Sequence, residues 1–250
     1  MRVQAQDPHF SQFHANPMYL NPSYTGANFC PRVIMNYRNQ WPALAGDYVT
    51  YNTSLDFGLN EIHGGLGLIV LHDRQGWGAL NTNKISLLYA YHAKLSGTTT
   101  LSGGFQFSYF ERELDPNQNF GDEIDPQLGF IYESFDPFAN PEYLKVNFTD
   151  LSLGILLNTQ KYFVGLALHH FTEPSYAFFD EDNLGKLPMK ITVHGGSRVV
   201  VEDLGYFNSS FLKKFSVLTP HILFQKQAES EQINLGATLS SDHLGLGLSY

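Results

Sequence analysis

The sequence predicts an all-β chain, a transmembrane antiparallel up-and-down β-barrel that carries an ordered non-strand segment at its N-terminus. Three observations carry this. Apolar residues alternate with small polar ones at period two in about eleven segments. No window shows the i, i+3, i+4, i+7 stripe of an amphipathic helix. The face opposite the apolar one is Gly, Ser, Thr, Asn and Gln, where a soluble sandwich would carry Lys, Glu, Asp and Arg. Composition agrees. Aromatics make up 14% and charged residues 16% of the 250 residues, against about 25% charged in an ordinary soluble domain. That excludes disorder. A net charge of −9 and a pI near 5.5 leave no basic footprint for nucleic acid. Mean hydropathy is −0.20, and no apolar run approaches the ~20 residues of a membrane-spanning helix.

The elements follow in order. Residues 1–5 read as the remnant of a signal peptide or cleavage region, because Val3-x-Ala5 has the small-residue pattern of a cleavage site. Residues 6–30 form a lumen or periplasmic segment. Gln6, Asp7, Pro8, Phe10 and Phe13, then Asn16-Pro17, Tyr19 and Asn21-Pro22, are aromatic, proline-punctuated and non-periodic. The two Asn-Pro steps mark turns, and the segment is expected to pack inside or under the barrel. Residues 31–250 form the barrel. Its strands are expected near 31–41, 47–58, 63–73, 83–95, 98–113, 148–158, 161–171, 189–201, 214–227, 231–241 and 243–250. Each is close to the ~9–11 residues of a tilted membrane strand. In the fifth, Leu101, Gly103, Phe105, Phe107 and Tyr109 alternate with Ser102, Gly104, Gln106 and Ser108. In the sixth, Leu151, Leu153, Ile155 and Leu157 share one face, and in the seventh Tyr162, Val164, Leu166 and Leu168 do.

Aromatics at segment ends are expected to form interfacial girdles: Tyr37 with Trp41, Tyr48 with Tyr51, Tyr89 with Tyr91, Tyr109 with Phe110, and Tyr162 with Phe163. The turns near 158–161 and 241–242 are short, and the connections 115–147 and 172–187 are long. Outer-membrane barrels have this asymmetry. Bacterial barrels have even strand numbers, so an odd count with Leu244, Leu246 and Leu248 in the last strand predicts a natural chain that continues past Tyr250.

Little in the sequence resembles catalytic or ligand chemistry. Cys30 is a lone thiol with no visible base beside it. Asp115-x-Asn117-x-Asn119 begins like a calcium loop, but Phe120 occupies the glycine position and Pro126 the twelfth. At most it is a loose site using Asp115, Asp122, Glu123 and Asp125; a solvated acidic loop is the default. His169 and His170 are expected on opposite faces of a strand. No metal, cofactor or catalytic constellation is assigned, and the chain is read as a non-enzyme. Charge is costly on a lipid face, about 2–4 kcal/mol at mid-membrane. Arg32 and Arg38 share a face opposite Val33, Met35 and Tyr37. Both are expected to point inward and pair with an acid, for which Asp56 is one candidate.

At these residues a resemblance appears. Gln6-Asp-Pro-His-Phe-Ser-Gln-Phe13, Asn16-Pro17, Tyr19-Leu-Asn-Pro22 and Gly26, with Asn36-Tyr-Arg-Asn-Gln-Trp-Pro42, Tyr48 to Asp56, Gly64-Gly-Leu-Gly-Leu68 and Leu151 to Pro174, resemble the PorP/SprF family of type IX secretion system membrane proteins. The resemblance spans essentially the whole chain. It implies an outer-membrane barrel of about 14 strands from gliding or secreting Bacteroidota. It also implies a non-enzymatic role beside the secretion machinery, as a dock or anchor for periplasmic components or for a secreted adhesin or other cargo with a C-terminal sorting signal. Outer-membrane lipid would surround it.

Docking would use the long loops, whose anchors are Tyr132, Phe135, Phe138, Tyr143, Tyr176, Phe178 and Phe179, residue types enriched at binding hot spots. The same aromatics could equally form a self-packed cap over the barrel. The rival reading is a passive porin or solute channel with a lumen of Ser, Asn and Thr. A hydrolase would need a Ser/His/acid set on one face, and none can be assembled.

Overall fold

Period-two alternation becomes a run of antiparallel ribbons. The computed structural model describes residues 7–10, 12–28, 30–43, 46–76, 78–115, 124–125, 127, 129–130, 134, 144–178, 185–200, 217–241 and 245–250. The strands are β1 (Arg32–Gln40), β2 (Tyr48–Leu59), β3 (Gly64–Gln75), β4 (Leu80–Lys94), β5 (Thr99–Leu114), the short pair β6 (Ile124–Asp125) and β7 (Gly129–Phe130), β8 (Lys145–Thr159), β9 (Tyr162–His169), β10 (Lys190–Ser197), β11 (Val199–Val200), β12 (Val217–Gln227), β13 (Ser230–Ser240) and β14 (Gly245–Ser249). Apart from the β6–β7 pair they form one 12-stranded sheet. Its path is β1-β2-β3-β4-β5-β8-β9-β10-β12-β13-β14, and β11 pairs with β12 beside it. The eleven ribbons of that path sit where the alternation placed them. Among the described residues the path is open, with β1 and β14 at its two ends.

Polarity is inverted relative to a soluble protein. Val33, Met35 and Tyr37 are 58%, 76% and 63% exposed, and the outward positions of β4 and β5 are Ile85, Leu87, Tyr89, Phe105 and Phe107. Facing the other way and buried are Asn52, Ser54, Ser86, Ser108, Ser152 and Thr192. An apolar exterior around an interior of small polar side chains is what hydrocarbon selects. The aromatic girdle holds for the outward-phase residues Tyr37, Tyr51, Tyr89, Tyr91, Tyr109 and Tyr162, all exposed. Phe110 and Phe163 depart from it because they occupy the inward phase. Phe110 is buried and stacks on Phe148, with centroids 4.7 Å apart.

Strand direction separates two ends. Connections 41–47, 76–79, 115–144 and 170–189 lie at one, the long-loop end. Connections 60–63, 95–98, 160–161 and 241–244 lie at the other, here called the short-turn end, and so does the longer connection 198–216 between β10 and β12, so the expected separation of long loops from short turns holds only in part. Eleven flat strands about 4.8 Å apart would span roughly 48 Å. Yet the segment before β1 touches the strand path almost from end to end. Gly26 meets Asp56 of β2, and His14 lies against Gly247 of β14. The sheet must therefore curl around that segment.

Candidate functional site

Each Asn-Pro step starts a helical turn. Pro17 opens the short helix Pro17–Leu20, and Pro22 opens the 3-10 turn Pro22–Tyr24. Proline is tolerated at a first helical position because its missing N–H has no intrahelical partner there. Asn21 caps the second turn, its Oδ1 accepting from Ser23 N at 2.9 Å. Its Nδ2, with two N–H groups, lies within hydrogen-bond distance of Ile155 O (3.2 Å), Leu166 O (3.3 Å) and His194 Nε2 (3.1 Å) and shares its donors among them. One buried amide thus ties the segment to β8, β9 and β10.

The wall is shaped to receive it. Gly65, Ala90, Gly104, Gly154 and Ala167 are consecutive cross-strand partners over β3, β4, β5, β8 and β9. They form a belt of minimal side chains across the inner face. A Cβ on Gly104 would run into the backbone of Pro22 and Ser23, and one on Gly65 would lie 2.8 Å from Thr25 O. A Cβ on Gly154 would collide with the Asn21 amide and lie 2.9 Å from Ser23 Oγ. The glycines alternate inward because the backbone of residues 21–26 lies where side chains would otherwise be. Around the belt, His92 bridges Thr25 O (2.9 Å) and Ser102 Oγ (2.8 Å), and His169 Nε2 donates to Leu20 O at 3.1 Å. Phe13 packs with Leu20 and Leu223, and burial pushes the Tyr24 phenol up to about 12.

Arg32 and Asp56 are cross-strand partners on the inner face and form a bidentate pair. Nε meets Oδ1 at 2.9 Å and Nη2 meets Oδ2 at 3.0 Å. Gly26 N also donates to Asp56 at 2.8 Å, so the same carboxylate pins the end of the segment. Arg38 departs from its expectation. It takes the inward phase, but its guanidinium donates to Gln40 Oε1 and has no acid at ion-pair distance among the described residues. It lies six residues along β1 from Arg32, far from the Asp56 carboxylate.

At the long-loop end the segment is held by charge. Asp7 Oδ2 accepts from Lys190 Nζ at 2.5 Å and from His170 Nε2 at 2.8 Å, while His170 Nδ1 donates to Asp150 at 2.9 Å. Both ring nitrogens donate to carboxylates, so His170 is held as the imidazolium. Burial opposes that charge, but Asp7 and Asp150 outweigh it and raise its pKa. Burial likewise disfavours the Asp7 carboxylate, but His170 and Lys190 hold its pKa well below the usual range. His169 and His170 are both buried, not split across two faces. The strand ends at His169, and a left-handed His170 (φ 57°) turns its ring back inside.

The remaining sequence candidates are placed as follows. Pro8 accepts from Tyr19 Oη at 2.8 Å, and Phe10 packs edge-on to Tyr19. Asn16 is buried, with no hydrogen-bond partner for its amide among the described residues. Trp41 stands outside, edge-on to Tyr48 at 5.6 Å. Tyr176 and Phe178 face the Arg112 guanidinium at 4.8 and 5.9 Å from their centroids. Gln6, Tyr132, Phe135, Phe138, Tyr143 and Phe179 lie outside the described residues, as do Asp122 and Glu123. Among the described residues no three His, Cys, Asp or Glu side chains are grouped to hold a metal ion. Reading the sequence missed Asp73, Lys84, Asp150, His170 and Lys190. For Asp73, Lys84, Asp150 and Lys190 the signal was the one that exposed Arg32, a charge in the inward phase of its ribbon; His170, beyond the end of β9, gave none.

Two cavities flank the segment. One of about 250 Å³ lies toward the short-turn end, between Phe13, His14 and Tyr24 and the wall at Phe163, His194 and His221. One of about 140 Å³ lies at the long-loop end, near Asp7, Tyr19, Lys84 and Arg112. Residues 2–250 match a family model described as type IX secretion system membrane protein PorP/SprF. No curated protein and no solved structure matches the chain.

Proposed function

Because the chain belongs to the PorP/SprF family of type IX secretion system membrane proteins, and its sheet turns an apolar face outward as an outer-membrane β-barrel does, we propose that it is a docking component of that machinery. Its long-loop end would receive a secreted surface protein, and its short-turn end would face the periplasmic components. The family is one of secretion-system membrane components, not of enzymes, and the reading needs no catalysis.

The observation that carries the proposal is the filled interior. Residues 16–26 cover the glycine belt, and inward Ser86, Ser108 and Ser152 are fully buried. A solute channel would leave those hydroxyls facing water. A self-plugged barrel instead offers its two ends as surfaces, and two of the three largest connections, 115–144 and 170–189, share one end, with 198–216 at the other. Tyr176 is half-buried against Arg112, so this part of the loop is already ordered over the mouth, as a preformed surface requires.

The test replaces residues 116–143 by a short turn, keeping β5 and β8 intact, and compares partners recovered from native outer membrane. The docking reading expects secretion-system partners to be lost from the shortened chain while the barrel still folds. An unchanged partner set would sink it. Large, steady conductance from the purified full-length chain in planar bilayers would favour the porin instead.

A further inference from the structure

The cavity at the long-loop end contains an imbalance of charge. Lys84 is 8% exposed and lines it. Its ammonium lies over the rings of Phe110 at 4.9 Å and Tyr19 at 5.8 Å. Arg112 lines the same cavity with its guanidinium over Tyr176. Neither cation forms an ion pair among the described residues, whereas Lys190 beside them does. A buried ammonium normally requires a carboxylate, and aromatic faces replace only part of that attraction.

The nearby acids are already engaged. Asp7 serves Lys190 and His170, and Asp150 serves His170 and Thr172. Asp73 accepts from Thr50 at 2.6 Å and from Gln75 at 2.7 Å. Among the described residues the lumen here thus supplies Lys84, Arg112, Arg38, Lys190 and the His170 imidazolium against three carboxylates. Around this cavity, cations outnumber carboxylates among the described residues.

We propose that this cavity binds a small organic monocarboxylate, its oxygens meeting Lys84 and Arg112 and its apolar body resting on Leu71, Phe110 and Phe148. Size and wall chemistry select that class. About 140 Å³ is close to the ~150 Å³ cavity that accepts benzene in another protein, so one ring or a short chain fits. Leu71, Phe110, Phe148 and Leu187 supply apolar wall. Asp7 and Asp73 also line the cavity, and their charge disfavours a dianion such as phosphate. The Arg112 guanidinium lies over the Tyr176 ring, and a guanidinium against an aromatic ring keeps N–H donors for a carboxylate. This proposal goes beyond the docking reading and does not depend on it.

The test titrates the full chain in detergent micelles with phenylacetate, phenylacetamide and inorganic phosphate, read by calorimetry. Saturable phenylacetate binding is expected, with the neutral amide and phosphate each weaker by about tenfold or more, the equivalent of about 1.4 kcal/mol. Lys84→Met keeps the side-chain length and is expected to weaken phenylacetate by a similar factor while the barrel stays folded by its heat-dependent gel mobility. Absence of saturable binding, equal affinity for acid and amide, tighter binding of phosphate, or unchanged affinity in a folded Lys84→Met variant each overturns the proposal. If that variant fails to fold, the acid–amide comparison on the unaltered chain decides alone.

Discussion

Gly103 and Gly104 are adjacent on β5 and offer a controlled test of which face is inside. A Cβ built on Gly103 meets nothing within 4 Å, so Gly103→Ala places a methyl group on the outer face. Its main effect is to restrict the unfolded chain, worth about 0.5–1 kcal/mol of stabilisation. A Cβ built on Gly104 meets the backbone of Pro22 and Ser23, with Pro22 O at 2.7 Å. No rotamer change can relieve that contact. Either residues 21–26 lift from the belt or the strand bends, and overpacking of this kind costs about 1–3 kcal/mol. Two neighbouring glycines therefore differ by roughly 1.5–4 kcal/mol, more than a factor of ten in the unfolding equilibrium. Urea unfolding in lipid vesicles measures the difference. Limited proteolysis reports whether residues 7–26 have come loose, as Gly104→Ala is expected to make them. Equal changes at both positions, or a Gly104→Ala protein with unaltered stability and protection, would refute the placement of the segment against the belt.

Two further outcomes follow from the charged contacts. Asp56→Ala removes the partner of Arg32 and the acceptor for Gly26 N. Breaking a buried ion pair costs about 3–5 kcal/mol, but Arg32 is partly exposed (24%), so about 2–3 kcal/mol is expected; a double-mutant cycle with Arg32→Met should return a coupling above 1 kcal/mol, and additivity would contradict it. The Asp7–His170 contact gives a pH window. A lowered carboxyl pKa stabilises above the unfolded value of about 3.9 and fails as pH falls through the folded value. A raised histidine pKa stabilises below about 6.5 and fails as pH rises through the folded value. Protection of residues 7–20 from hydrogen exchange should peak between about pH 4 and 6.5, and Asp7→Asn should flatten the profile; an unchanged profile in that variant would remove the latch.

The strands were legible because hydrocarbon outside and a crowded interior both act on alternate residues. Val33-x-Met35-x-Tyr37 and Leu101-x-Gly103-x-Phe105 state the outward phase directly, and Arg32 with Asp56 could be paired because each stands in the inward phase of its own ribbon. Three things were not legible. Segment ends do not tell an outward girdle aromatic from an inward one, so Phe110 was misassigned. Alternation does not survive the last residue of a strand, so the inward turn of His170 at positive φ was hidden. Strand register was hidden too. Gly65, Ala90, Gly104, Gly154 and Ala167 are far apart in sequence, and only the pairing brings them into one line.

That line explains why the N-terminal segment and the strand glycines belong to one device. Glycine in a strand weakens it by about 0.5–1 kcal/mol relative to alanine, and a row of them across neighbouring strands would be a liability in an empty barrel. Filled by Asn21 to Gly26, the row becomes a seat in which backbone lies on backbone. The Asn21 amide then takes up wall carbonyls that lipid could never satisfy. The two Asp contacts act at opposite ends of the same segment, Asp56 holding Gly26 and Asp7 holding the other end to Lys190 and His170. Fixing both ends and the middle makes the interior a solid support, so differences between states must arise at the loops and in the two cavities beside the segment. A barrel built to pass solute needs the reverse arrangement, a stiff wall and an unobstructed centre. Here the wall is shaped by what fills it.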